Sequence, residues 1–206
     1  MDFVEPRRSI SARFVGGRGH YEHVVSAVME ARRSIWIATA NLKELMVEDH
    51  RAAPGRRRTA PRATQGARSS YRSILAVFDE LARRGVELRI LHASPPSGPF
   101  ARELARHPGL KRALSLRACP RVHFKAVVVD GGFLYLGSAN WTGAGLGAKG
   151  TGRRNFELGF ATADDLLLDR VQELYERVWR GAACQGCKLR EVCPAPLDGI
   201  SSSPRR

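Results

Sequence analysis

The chain has 206 residues, 43% of them hydrophobic, and a formal net charge of +14. That length and apolar content suit one domain with a substantial core. No stretch approaches the ~18 consecutive apolar residues of a membrane span, and residues 1–8 have no apolar signal-peptide core, so the expected location is the cytoplasm.

The elements are expected in this order. Residues 21–33 carry Val24, Val25, Val28 and Met29 at helical spacing, and residues 34–41 follow as a strand. Residues 51–70 mix Pro, Gly, Ala and Arg without period, which predicts a mobile loop inserted in the domain. Residues 71–84 place Ile74, Leu75, Phe78 and Leu81 on one helical face, with Gly85 as a C-terminal stop. A strand is expected over 86–92, a loop over 94–99, and a helix over 100–116 broken at Pro108-Gly109. Residues 122–129 run into Val127-Val128-Val129 and predict a buried strand. Asp130-Gly131-Gly132 is a turn, and 133–136 the returning strand. Residues 143–154 are glycine-rich and expected to be mobile; 156–162 read as a strand and 164–180 as an amphipathic helix. Repeated alternation of helix and strand predicts an α/β fold, a mixed sheet flanked by helices on both faces. The domain is expected to span 1–180, followed by a cysteine-containing tail over 181–206.

The hairpin carries the chemistry. With Gly131 and Gly132 as turn residues, His123 falls opposite Asn140 and Lys125 opposite Ser138. His123 and Lys125 are two apart and share a face, so an imidazole, an ammonium, a hydroxyl and a carboxamide gather at the hairpin's open end. A turn shifted by one would pair His123 with Ser138 and keep the cluster. Asp130 lies at the turn, far along the strand from His123, where its expected task is to fix the turn or the loops around it. An isolated H-x-K pair is usually only a half-exposed strand; the Ser and Asn downstream reverse that reading.

These residues resemble the phospholipase D superfamily. His123, Lys125 and Asp130 match its H-x-K-x4-D motif, Ser138 and Asn140 its Gly-Ser-x-Asn, and Asn155-Phe156-Glu157 its later Asn-x-Glu. The resemblance covers about residues 10–180. Many relatives carry two motifs per chain; here His20, His23, His50, His92 and His107 all lack the pattern. One motif per chain resembles the short, nuclease-like branch and implies a homodimer that shares one active site. The resemblance implies catalytic roles for His123, Lys125, Asp130, Ser138, Asn140 and Glu157. His123 would attack phosphorus, Glu157 would hold its far ring nitrogen, and Lys125, Ser138 and Asn140 would bind the phosphoryl oxygens. No carboxylate cluster suited to Mg²⁺ or Ca²⁺ accompanies the motif, so no catalytic cofactor is expected.

Charge points to the substrate class. From Arg51 to Phe78 there are seven arginines and no acidic residue. A second basic stretch leads into the motif, with Lys111, Arg112, Arg117 and Arg121 against Glu103 alone from 102 to 125. With Arg153 and Arg154 these are the candidate substrate-binding residues for DNA or RNA. Anionic lipid is the rival substrate, and a nucleic-acid-binding subunit of a defence complex a third class. A GC-rich coding sequence would explain arginine over lysine but not the missing acids.

Cys184-Gln185-Gly186-Cys187 and Cys193-Pro194 form C-x2-C-x5-C, with Cys119 as the remaining cysteine. Four thiolates suit a structural zinc ion or an iron–sulfur cluster, and the spacing is similar to the cluster motif of AddB-type nucleases, whose catalytic domain is unrelated. Free thiols and, behind them, disulfides are the alternatives. His20 and His23 also suggest a metal pair, though they fit an exposed helix start better. A single-motif chain with such a tail resembles DrmC of DISARM antiphage systems, which implies defence-system partners.

Overall fold

A computed structural model describes Val4, residues 6–49 and residues 70–199. The inserted loop expected over 51–70 lies almost wholly outside the described residues.

Among the described residues nine strands form two sheets. They are β1 (Ala12–Gly16), β2 (Ser34–Thr39), β3 (Met46–Asp49), β4 (Ser70–Ser73), β5 (Glu87–His92), β6 (Leu114–Ala118), β7 (Lys125–Val129), β8 (Phe133–Gly137) and β9 (Leu158–Thr162). The large sheet has the order β1-β9-β8-β7-β2-β5-β6. β2, β5 and β6 run parallel; β7 is antiparallel to β2, and β7, β8, β9 and β1 continue antiparallel. β3 and β4 pair separately.

The helices divide unequally between the two faces. One face buries Ile35, Ile37, Val127, Val129 and Tyr135 under a π-helical turn (His20–Val25), α1 (Ser26–Met29), α2 (Ile74–Arg83), α3 (Gly98–Ala105) and α4 (Pro108–Ala113). The other face buries Ala38, Leu91, Ala126, Val128 and Leu134 under α5 (Asp165–Trp179). There Trp36, Tyr175 and Trp179 stack at 5.2 and 5.6 Å between centroids. Ser73 caps α2 by accepting from Leu75 N–H at 3.0 Å, and Asp164 caps α5 by accepting from Leu167 N–H at 3.0 Å. Among the described residues no helix is long and apolar enough to cross a membrane.

Three expectations change. The helix read over 100–116 is two short helices, and its last residues are strand β6, paired with β5 from Leu88↔Leu114 to His92↔Ala118. Pro108 starts α4 at the position where a missing N–H costs nothing, instead of merely breaking one helix. The glycine-rich stretch after Trp141 is packed: Gly143, Gly145, Leu146 and Gly147 are buried. Asn155 N–H and Lys149 N–H bond the carbonyls of Ala144 and Gly143 at 3.1 Å each. β1 and the β3–β4 pair lacked a clear sequence signal.

Candidate active site

Because β7 and β9 run against β2, β5 and β8, one end of the large sheet collects the starts of β7 and β9 and the ends of β2, β5 and β8. His123 and Lys125 lie there, exposed and half-buried. Lys125 Nζ is 3.3 Å from His123 Nδ1 and 3.5 Å from Nε2. An ammonium only donates, so a hydrogen bond between the two groups uses a ring-nitrogen lone pair of His123.

The hairpin register differs by one residue from both sequence alternatives. Asp130 and Gly131, at φ 54° and 68°, are the turn pair, and Gly132 N–H closes the turn on Val129 carbonyl at 3.1 Å. Val129 therefore faces Phe133, and Lys125 faces Gly137 instead of Ser138. The Asp-Gly pair wins over Gly-Gly because it leaves Gly132 as the extra residue between the turn and the ladder.

Asp130 is at the opposite end of β7 from Lys125. Its carboxylate accepts from Arg32 N–H at 3.0 and 3.2 Å, Arg33 N–H at 2.7 Å and Ser34 N–H at 2.9 Å. Burial pushes this carboxyl up, but the N–H groups of Ser34, Arg33 and Arg32 and the Arg33 charge outweigh it and hold it below its ordinary value. Asp130 thus pins the entry to β2 onto the motif hairpin and lies apart from the reacting end.

Asn140 is held from one side. Its Oδ1 accepts from Ala40 N–H at 3.1 Å, Asn41 N–H at 3.0 Å and Thr39 hydroxyl at 3.3 Å. With the carbonyl oxygen engaged, the amide NH₂ is the end left to meet a ligand. Thr39 Oγ1 also accepts from Trp141 N–H at 2.9 Å, and Lys43 N–H bonds Trp141 carbonyl at 2.9 Å. Thr39 and the 40–41 backbone are the supporting residues that sequence reasoning missed. No motif marks them; their position at the C-terminal end of a parallel strand was the available signal.

Glu157 meets Ser138 and Asn155, not His123. Ser138 Oγ donates to Glu157 Oε2, and Asn155 Nδ2 donates to Oε1 at 3.1 Å. The reason is strand order. Ser138 N–H bonds Leu158 carbonyl at 2.9 Å and Leu158 N–H bonds Ser138 Oγ at 3.1 Å, so residue 157 is set beside residue 138, one strand away from β7. The hydroxyl proton of Ser138, expected to face phosphate, goes to Glu157. Phe156 and Leu158, on either side of Glu157, are exposed.

His20 is at the same end, just past β1. It is fully buried, edge-on to Tyr135 at 5.4 Å, with Nδ1 3.2 Å from Gly17 carbonyl and no partner at Nε2. Burial lowers its pKa, against smaller raising effects of the Gly17 carbonyl and the Glu157 charge, so it is neutral core. His23 instead lies 3.2 Å from Arg13, so the two histidines form no metal pair.

The candidate substrate-binding residues separate. Lys111 and Arg112 are on α4, at the start of β6, the sheet end away from His123. Arg117 donates to Trp179 carbonyl and lies over its ring at 5.4 Å, on the α5 face. Arg121 lines a cavity with the cysteines. Arg153 and Arg154 remain near the site, on the segment leading into Asn155 and Glu157. Arg153 is exposed, and Arg154 bonds Thr151 Oγ1 at 2.6 Å.

Cys119, Cys184, Cys187 and Cys193 are all free thiols and line one cavity of about 290 Å³ beneath the β6–β7 connection. Burial pushes the Cys119 thiol up, Arg121 N–H lowers it, and the nearness of the other three cysteines raises it again. Among the described residues no three His, Cys, Asp or Glu side chains converge on one metal ion.

A mixed seven-stranded sheet with the H-x-K pair at the start of one strand and the Gly-Ser-x-Asn at the end of its neighbour is the geometry in hand. Residues 63–179, more than half of the chain, match the family model described as "Cardiolipin synthase, PLD-like domain". The chain belongs to the phospholipase D-like family. Its fold is similar to that of NucT from Helicobacter pylori (15% identity, 82% of this chain and 95% of that one, TM-score 0.54). Nuc from Salmonella typhimurium, a phospholipase D family member, is similar over the same shares (18% identity, TM-score 0.53). Polyphosphate kinase from Porphyromonas gingivalis is similar over 83% of this chain and 26% of its own (14% identity, TM-score 0.52). No curated protein matches. At these identities the phospholipase D-like structures speak to fold alone.

Proposed function

We propose that this phospholipase D-like chain is a phosphodiesterase that cuts nucleic acid through a phosphohistidine at His123. The observation that carries the reading is the convergence at one sheet end of His123, Lys125 and an Asn140 whose carbonyl oxygen is already engaged. A bare ring nitrogen of His123 attacks phosphorus, a P–N bond forms, and the P–O bond to the leaving group breaks. Lys125 and the Asn140 NH₂ meet the non-bridging oxygens as their charge grows. The leaving oxygen takes a proton from a second His123, which then removes a proton from the water that cleaves the P–N bond. Every step uses the chain's own residues, so cleavage in EDTA is expected. Asp130 acts by holding the hairpin, and Glu157 by holding Ser138.

The second His123 calls for a second copy of the chain. An apolar strip supports this partner: Phe14 and Leu158, 73% and 59% exposed, lie on β1 and β9 and by register share the sheet face of Leu134 and Leu136. A homodimer closed over this strip would bring two copies of the site together.

The +14 charge and the acid-free arginine run favour DNA or RNA, with exposed Arg153 on the approach to the site. Action on anionic lipid is the second reading, favoured by the wording of the matching family model. One motif per chain with a cysteine-bearing tail also supports a place like that of DrmC in antiphage defence, alongside partners that handle foreign DNA.

The test is an assay in EDTA on labelled single-stranded DNA, duplex DNA, RNA and anionic-lipid vesicles, with samples quenched in alkaline denaturant, which preserves a P–N bond, and digested to locate phosphate. Nucleic-acid cleavage with phosphate trapped on His123 is expected. Turnover of lipid alone, or no adduct at that side chain, would overturn the reading. Sedimentation should give a dimer that Phe14→Glu dissociates and inactivates.

A further inference from the structure

The cysteines come from two distant stretches, and the fold brings them together deliberately enough to need explaining. Cys119 follows β6. Its N–H bonds His92 carbonyl at 2.8 Å, and Val122 N–H bonds its own carbonyl at 2.9 Å, which turns the thiol toward α5. The other three ride on the chain after α5, where successive turns repeat: Cys184 N–H to Gly181 carbonyl (2.9 Å), Cys187 to Cys184 (3.1 Å), Arg190 to Cys187 (3.0 Å) and Cys193 to Arg190 (3.3 Å).

This tail is docked. Gly181 has φ 77°, and a Cβ there would stand 2.2 Å from Asp198 N, so the chain folds back against the helix end. Leu197 packs with Tyr175, Val178 and Cys119, and Arg190 pairs with Asp198. Within the tail, Leu197 thus packs against the core under α5.

We propose that Cys119, Cys184, Cys187 and Cys193 ligate an iron–sulfur cluster in the cavity they line. A single zinc ion, at a Zn–S distance of about 2.3 Å, draws four sulfurs to within about 3.8 Å of one another. Here the four thiols share the lining of a cavity of about 290 Å³ with Arg121, Leu174 and Val178, and among the described residues no three ligands converge on one ion. A cluster supplies its own bridging sulfides, fills a volume, and takes one thiolate at each iron corner. The surroundings suit its net negative charge. Arg121 and Arg190 lie against the thiols, and Leu189 N–H is directed at the Cys187 sulfur. Leu174, Val178 and Leu197 close the remaining wall. Ligation releases the four thiol protons and involves no electron transfer.

The assignment is independent of the phosphodiesterase reading, since its readout is metal content. The cluster would also brace the connection that carries His123, whose side chain leaves it on the opposite face from Cys119.

The experiment is iron, zinc and acid-labile sulfide analysis, with visible absorption, of the full chain purified without oxygen. Iron and sulfide in equal amounts, with a broad visible band, are expected. Cys184→Ser/Cys187→Ser should lose more than nine-tenths of both while keeping the far-ultraviolet dichroism. Should that variant fail to fold, the native chain decides: stripped of metal and offered ferric and ferrous iron together with sulfide without oxygen, it should recover the band. One zinc per chain without iron, four free thiols with no metal taken up on reconstitution, or two disulfides would each overturn the proposal.

Discussion

The two ends of β7 carry motif residues in opposite states. At the Asp130 end the carboxylate is saturated by three backbone N–H groups from the entry to β2. At the Lys125 end, His123 and Lys125 are exposed or half-buried, and the Asn140 amide is engaged through its oxygen alone. Saturation makes a brace; unsatisfied, aimed donors make a site. One motif can therefore contain a residue that builds and residues left open to a ligand.

The largest expected effect separates these roles. His123→Ala should lower turnover by about 10⁴-fold or more, yet shift unfolding free energy by less than about 0.5 kcal/mol, because the side chain is exposed. Asp130→Ala should do the reverse first. Leaving three N–H groups without their charged acceptor should cost about 3 kcal/mol in denaturant unfolding at pH 7. The Asp130 carboxyl is held below its ordinary value when folded, so its contribution is present above the unfolded pKa and lost as pH falls through the folded one. The gap between wild type and Asp130→Ala should accordingly close in acid. If Asp130→Ala instead abolished turnover at unchanged stability, the division between the two ends would fail.

Asn140→Ala should fall between them. It removes a phosphate donor and strands the N–H groups of Ala40 and Asn41, so about 10²-fold in turnover and about 1–2 kcal/mol in stability are expected together. The smallest effect lies away from both ends. Glu44 is pushed up to about 7, first by burial, against the Ser73 hydroxyl that bonds it at 2.6 Å. The folded state then binds more protons than the unfolded one between about pH 4.5 and 7, so stability falls as pH rises through that window. Glu44→Gln should remove that slope and gain about 1 kcal/mol at pH 8, after allowing for solvent screening.

Much of this was legible in the residues. Val127-Val128-Val129 marked a buried strand, and the periodic apolar positions of α2 and α5 located their buried faces. The failures have physical causes. Leu114-Ser115-Leu116 continued an apolar run out of α4, and local pattern alone does not separate a short strand from the last turn of a helix. The turn was placed on Gly131-Gly132 because glycine tolerates positive φ, but Asp130 adopts it too, held there by N–H groups from another element. Lys111 and Arg112 read as neighbours of the motif along the chain, yet the length of β6 carries them to the far end of the sheet.

The sequence by itself determined the family and the fold class and marked the candidate site residues, because those depend on side-chain type and on spacing within one hairpin. Only the tertiary structure decided that Glu157 belongs with Ser138, that Asp130 braces the entry to β2, and that Cys119 joins the tail cysteines. Each of these depends on which strands and loops become neighbours, and that is settled by packing two faces of one sheet, not by distance along the chain.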